Sequence, residues 1–187
     1  MHARLLPVLL SLFAALAACA APGKTPEEKR AWIDSETSDV LARLFERVPE
    51  AEKQIESAAG CAVFTNLSVD VLFVGGGGGY GVAVDSATGE RTYMRMAEGG
   101  IGLGLGVKDF RAVFVFETPE RFRTFVEKGW DAGASADAVA SARGEGASYI
   151  AAASFVDGVA VYQLTDNGLA LRVNLKGTKY FPYSALN

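Results

Sequence analysis

Five glycines stand in succession at Gly75 to Gly79, and a second set alternates in Gly100-Ile101-Gly102-Leu103-Gly104-Leu105-Gly106. The alternating set has a period of two, which is the period of a strand, so Ile101, Leu103 and Leu105 share one face and bare backbone forms the other. A face without side chains lets another element of the fold, or a ligand in a groove, come unusually close. Neither run is a phosphate loop. No Gly-Lys-Ser/Thr follows Gly79, the chain continues as Tyr80-Gly81-Val82-Ala83-Val84 in strand character, and Leu105 stands where a dinucleotide fingerprint needs glycine. Glycine reaches 21 of 187 residues, and the runs account for much of the excess.

The N-terminus constrains location. His2 and Arg4 precede an apolar run from Leu5 to Ala18 that is shorter than a bilayer span, and the run ends in small residues. Residues 1 to 18 therefore read as a signal peptide. Leu16-Ala17-Ala18-Cys19 looks like the lipobox of bacterial lipoproteins, with Cys19 as the lipidation site and first mature residue; an ordinary secretory signal cut near Ala18 is the alternative. Ala20, in place of Asp, fits outer-membrane sorting of such lipoproteins, with the domain facing the periplasm. Residues 19 to 26 read as a lipidated anchor and short flexible spacer, and 27 to 187 as a single domain.

The mature domain reads as α+β. Trp32, Val40, Leu41, Leu44, Phe45 and Val48 recur at helical spacing between Pro26 and Ala59, and Pro49 separates a second helical run from Ala51 to Ala58. The apolar stripe serves either to pack on a sheet or to lie in a membrane surface. After Gly60 the pattern predicts strands at 61–65, 69–75, 80–85, 91–96, 100–107 and 110–117, with turns at Ser86-Ala87-Thr88-Gly89 and Lys108-Asp109. Connections this short join antiparallel neighbours, giving a Gly-rich antiparallel sheet or partly closed barrel. Thr118-Pro119 starts one inserted helix, with Phe122, Phe125 and Val126 as its buried face, and Gly129 ends it. Small residues from Asp131 to Gly146 then lead to strands at 148–156, 159–164 and 169–175, turned at Asp157-Gly158 and Asp166-Asn167-Gly168.

The chemistry-bearing residues are few. The single histidine, His2, lies in the signal, so a mature domain has no imidazole for a triad or a metal. Carboxylates are scattered, with no His/Cys/carboxylate cluster at metal spacing, and neither metal nor cofactor is expected. Cys61, between Gly60 and Ala62-Val63-Phe64, reads as a buried small residue. Loss of Arg4 with the signal moves the formal charge from -4 to -5, which argues against nucleic acid. Arg172, Lys176 and Lys179 nevertheless lie in a C-terminal stretch free of acidic side chains, and Arg91, Arg95, Lys108 and Arg111 lie on the hairpins. These could form a basic patch for lipid head groups, or protect strand edges.

Four blocks carry a resemblance: Ser57-Ala58-Ala59-Gly60-Cys61-Ala62-Val63-Phe64-Thr65-Asn66; Phe73-Val74-Gly75-Gly76 with Tyr80-Gly81; Gly129-Trp130-Asp131-Ala132-Gly133; and Asp166 to Leu171 with Leu175-Lys176-Gly177-Thr178-Lys179. In order and spacing, from about Glu50 to Tyr183, they resemble the SYLF domain family of lipid-binding modules. That resemblance implies a non-enzymatic phospholipid-binding domain, with Lys176 and Lys179 as the matched basic positions and Arg172, Arg111 and Lys108 as further lipid-binding candidates. The competing reading is a structural or partner-binding envelope lipoprotein that docks another protein.

Overall fold

The computed structural model describes residues 21–131, 158–165, 168–169 and 178–187; within these, side chains are described except those of 67–75, 100–110, 131, 165 and 168–169. The chain enters through α1, Pro26–Arg47. Thr25 caps it: the Glu28 N–H donates to Thr25 Oγ1 at 3.2 Å, and the Glu28 carboxylate accepts from Thr25 N at 3.4 Å and Lys24 N at 2.6 Å. Pro49 then opens α2, Glu50–Ser57. The expected spacer is not wholly solvated, because Ala21 is buried while residues 22–28 are exposed.

Two 26-residue strands follow, β1 (Gly60–Asp85) and β2 (Arg91–Phe116), joined by the expected turn at Ser86 to Gly89. Asp85 Oδ1 accepts from Ala87 N at 2.8 Å and Thr88 N at 2.9 Å, and Gly89 closes the turn with φ at 72°. The six short strands expected between 61 and 117 are thus one long hairpin, paired from Gly60↔Phe116 to Val84↔Arg91. Lys108-Asp109 is not a turn. Both residues sit inside β2, opposite Ser68 and Leu67, because pairing along the whole ladder overrides a locally turn-like dipeptide.

A straight ribbon of this length could not bury its own face, and the hairpin folds back instead. The second pass of β1 lies directly on its first. A Cβ on Gly79 would collide with Asn66 and the Thr65 carbonyl, and one on Gly81 with the Val63 carbonyl and the Phe64 ring. A register shift between Leu72 and Val74 accompanies the bend. Before it, even residues pair with even (Ala62↔Phe114); after it, odd with even (Gly81↔Met94). That shift lets Ala62, Phe64 and Ala83 enter one core with Met94, Met96, Ala112, Phe114 and Phe116.

Helix α3 (Pro119–Lys128), capped by Thr118 as expected, contributes Phe122 and Phe125 to that core, and Gly129 ends it with φ at 71°. The remaining strands are β3 (Trp130–Asp131), β4 (Val159–Thr165), β5 (Gly168–Leu169) and β6 (Thr178–Pro182). They complete a six-stranded antiparallel sheet in the order β3-β6-β2-β4-β5, with β1 on the other edge of β2. β3 and β6 were not expected. The strand expected at 148–156, the linker at 132–146, the 166–167 turn and most of 169–175 lie outside the described residues.

The helical stripe packs on the sheet rather than standing free for a membrane. Val40, Leu44 and Val48 of the first helical segment join Ala51, Val63, Val113, Val115, Ala160, Tyr162 and Leu164 on the face opposite the phenylalanine core. The other end of α1 buries Ile33 against Tyr80, Val82 and Tyr93 of the folded-back pass, together with Ala21 and Leu186. One helix thereby braces both halves of the hairpin. Among the described residues no helix is long and apolar enough to cross a membrane.

Candidate lipid-facing surface

The expected basic residues are distributed around the sheet. Lys179 is exposed on β6, flanked in the sheet by Ala97 of β2 and Asp131 of β3. Arg111 is half-buried on β2, opposite Thr65 of β1 and Leu164 of β4. The ladder partners of Arg111 are Thr65 and Leu164 and those of Lys179 are Ala97 and Asp131, so the two cations are not neighbours in the sheet. Lys108 has its backbone opposite Ser68, and its side chain is not described. Arg172, Lys176 and Cys19 lie outside the described residues.

The buried titratable groups are held in their neutral forms. Burial pushes the Cys61 thiol up to about 11, as expected for a small core residue and not for a nucleophile. Burial, then the nearby Glu98 charge, raises the Tyr180 hydroxyl far above the ordinary tyrosine value. The Tyr180 hydroxyl, Thr178 Oγ1 and both polar atoms of the Asn66 side chain find no hydrogen-bond partner among the described residues. They lie close together: Thr178 is opposite Glu98, Tyr180 opposite Met96, and Met96 opposite the Gly79 that Asn66 rests on. Among the described residues no group of three His, Cys, Asp or Glu side chains could hold a metal.

The outer side of the folded-back pass has a different character. Alternation along β6 turns Thr178 and Tyr180 inward and Lys179 and Phe181 outward. Phe181, at 39% exposure, is the exposed large apolar side chain among the described residues. Its partner across the ladder is Arg95, whose guanidinium lies 5.1 Å from the centre of the Tyr183 ring. Arg95 is half-buried, and its Nε has no hydrogen-bond partner among the described residues. The neighbouring cation Arg91 is different, because it is paired with Asp34 at 2.6 Å. Arg95 is legible in the sequence as a hairpin cation. Phe181 is not, since the only sign of it is the alternation of Thr178-Lys179-Tyr180-Phe181 in a stretch not read as a strand.

No family model matches the chain. It is 36% identical over 158 residues to a protein of Aeromonas veronii named beta cell expansion factor A; the match covers 84% of this chain and 59% of that protein. The chain thus spans less than two thirds of the length of the curated relative it matches.

Proposed function

We propose that the chain is a membrane-anchored lipoprotein, acylated on Cys19 at the periplasmic side of the outer membrane, whose domain binds phospholipid and catalyses no reaction. The observation that carries this reading is that the first three sequence blocks behind the SYLF resemblance pack together around Phe64 and Tyr180, the latter directly after the fourth. From the first block, Phe64 packs on Tyr180, next to the fourth, with ring centroids 4.6 Å apart. From the second, Gly81 lies against Phe64. From the third, Trp130 stacks on Tyr180 at 6.3 Å, and a Cβ on Gly129 would collide with the Tyr180 carbonyl. Motifs distant along the chain form one packed unit, as expected if they specify one module. Lys179, a matched basic position, stands exposed at its edge.

Flotation with vesicles tests the lipid-binding part. The Cys19→Ser chain, which cannot be acylated, is expected to float with anionic phospholipid vesicles at low salt and to lose that binding as salt screens the attraction. Absence from the vesicle fraction at low salt would count against lipid binding by the domain. Specific capture of an envelope protein in that case would favour the partner-docking reading.

A further inference from the structure

If Cys19 carries the lipid, the position of Ala21 sets how the domain sits on the bilayer. Ala21 is 4% exposed and packed with Ile33, Tyr80, Val82, Tyr93 and Leu186, so the tether leaves from the outer side of the folded-back pass. One residue, Ala20, separates Ala21 from Cys19, and the two residue steps of extended chain between them span about 7 Å. The acylated sulfur belongs at the boundary of the hydrocarbon, so this side of the domain is held within about the depth of the head-group layer. A solvated spacer running to Pro26 would impose no such orientation.

The same side carries groups suited to that layer. Tyr183 packs against the cluster that holds Ala21, the Arg95 guanidinium lies over Tyr183, and Phe181 is opposite Arg95 in the ladder. Trp32 packs there too, edge to face on Tyr80 at 6.3 Å. Aromatic side chains with one polar end favour the membrane interface. Arg95 forms no ion pair among the described residues, and a guanidinium presents a fork of donors that fits phosphate. Of the nearby acids, Asp34 is taken by Arg91 and Tyr93, while Asp131 lies across from Lys179 rather than Arg95. We infer that the face carrying Arg95, Phe181 and Tyr183 is the side of the domain that lies on the bilayer, with Phe181 entering the interface and Arg95 binding a lipid phosphate. This orientation rests on the acylation proposed above.

The full acylated chain, reconstituted in vesicles that contain anionic phospholipid, tests it with an environment-sensitive dye on one added cysteine. Cys61 is buried with its thiol pushed up to about 11, so it does not compete for label. Phe181→Cys removes an exposed side chain, and Glu52→Cys, on exposed α2, is the comparison. Brominated lipids are expected to quench the dye at 181 several-fold more than at 52, and Arg95→Gln to lower the quenching at 181 on anionic vesicles. Equal quenching at the two positions in protein shown by mass to be acylated would overturn the orientation and leave the anchor standing. Quenching at 181 that is unaffected by Arg95→Gln would overturn the phosphate contact. A chain whose mass shows no acyl group would instead overturn the anchor.

Discussion

The rings of Phe64 and Tyr180 meet edge to face with centroids 4.6 Å apart, so the first strand and the last pack directly on one another inside the folded-back hairpin. Phe64 also meets Phe114 at 5.8 Å and Phe125 at 6.2 Å. Phe64→Ala is expected to cost about 3–5 kcal/mol in urea unfolding. The Tyr180 hydroxyl is buried without a partner among the described residues, so Tyr180→Phe should be neutral or stabilising by about 1 kcal/mol. A loss with Tyr180→Phe as large as that of Phe64→Ala would show that the hydroxyl is bonded after all.

Gly81 and Gly99 make a matched pair for testing the fold-back. A Cβ at 81 meets the Val63 carbonyl and the Phe64 ring, whereas a Cβ at 99 meets nothing within 4 Å. Gly81→Ala is expected to cost about 2–4 kcal/mol, and Gly99→Ala to change stability by less than about 0.5 kcal/mol. Denaturant midpoints at constant slope measure both. Equal effects would mean that the two passes of β1 do not touch.

Alkaline pH should weaken the fold in a defined window. The Cys61 thiol is raised from 9.0 to about 11 in the folded protein, so its contribution is fully present below pH 9 and is lost as pH rises through about 11. That shift corresponds to about 2–3 kcal/mol. The raised Tyr180 and Tyr93 hydroxyls act in the same direction above about pH 10. Stability against pH for the parent and Cys61→Ala separates the contributions, the variant losing less between pH 9 and 11. A thiol reagent should modify native Cys61 only as the chain unfolds.

Thr25 supports the first turn of α1. Its hydroxyl accepts from Glu28 N in the capping box, and Thr25→Ala should cost about 1 kcal/mol. Helical circular dichroism during thermal unfolding checks it. The carboxylate of Glu28 also holds Lys24 N, so a Glu28→Ala loss that adds to that of Thr25→Ala without coupling would contradict a reciprocal box.

The helices were legible because their boundaries are written locally. Thr25 and Thr118 start helices through side-chain caps, Pro49 starts one through its fixed backbone with no side-chain cap, Gly129 ends one with a left-handed backbone, and the Ser86 to Gly89 turn follows from Asp85 and a left-handed glycine. The long hairpin was not, because its continuity through Lys108-Asp109 depends on pairing with Leu67 and Ser68, forty residues away in sequence. Gly81 falls in an expected strand and Gly79 between two expected strands, yet what both admit is another pass of the same strand, and that is set by the register shift between Leu72 and Val74. Of the candidate surface, Lys179 and Arg95 stood out by charge. Phe181 did not, because its exposure depends on which way β6 alternates once Tyr180 is committed to the core.

Growth with labelled palmitate, followed by membrane fractionation of the parent chain and of Cys19→Ser, tests the central claim most directly. The account predicts label in the parent, none in the variant, and release of the variant alone when the membrane fraction is washed with high salt, which screens the domain's own attraction to lipid. An unlabelled parent, with a variant that fractionates as the parent does, would contradict it.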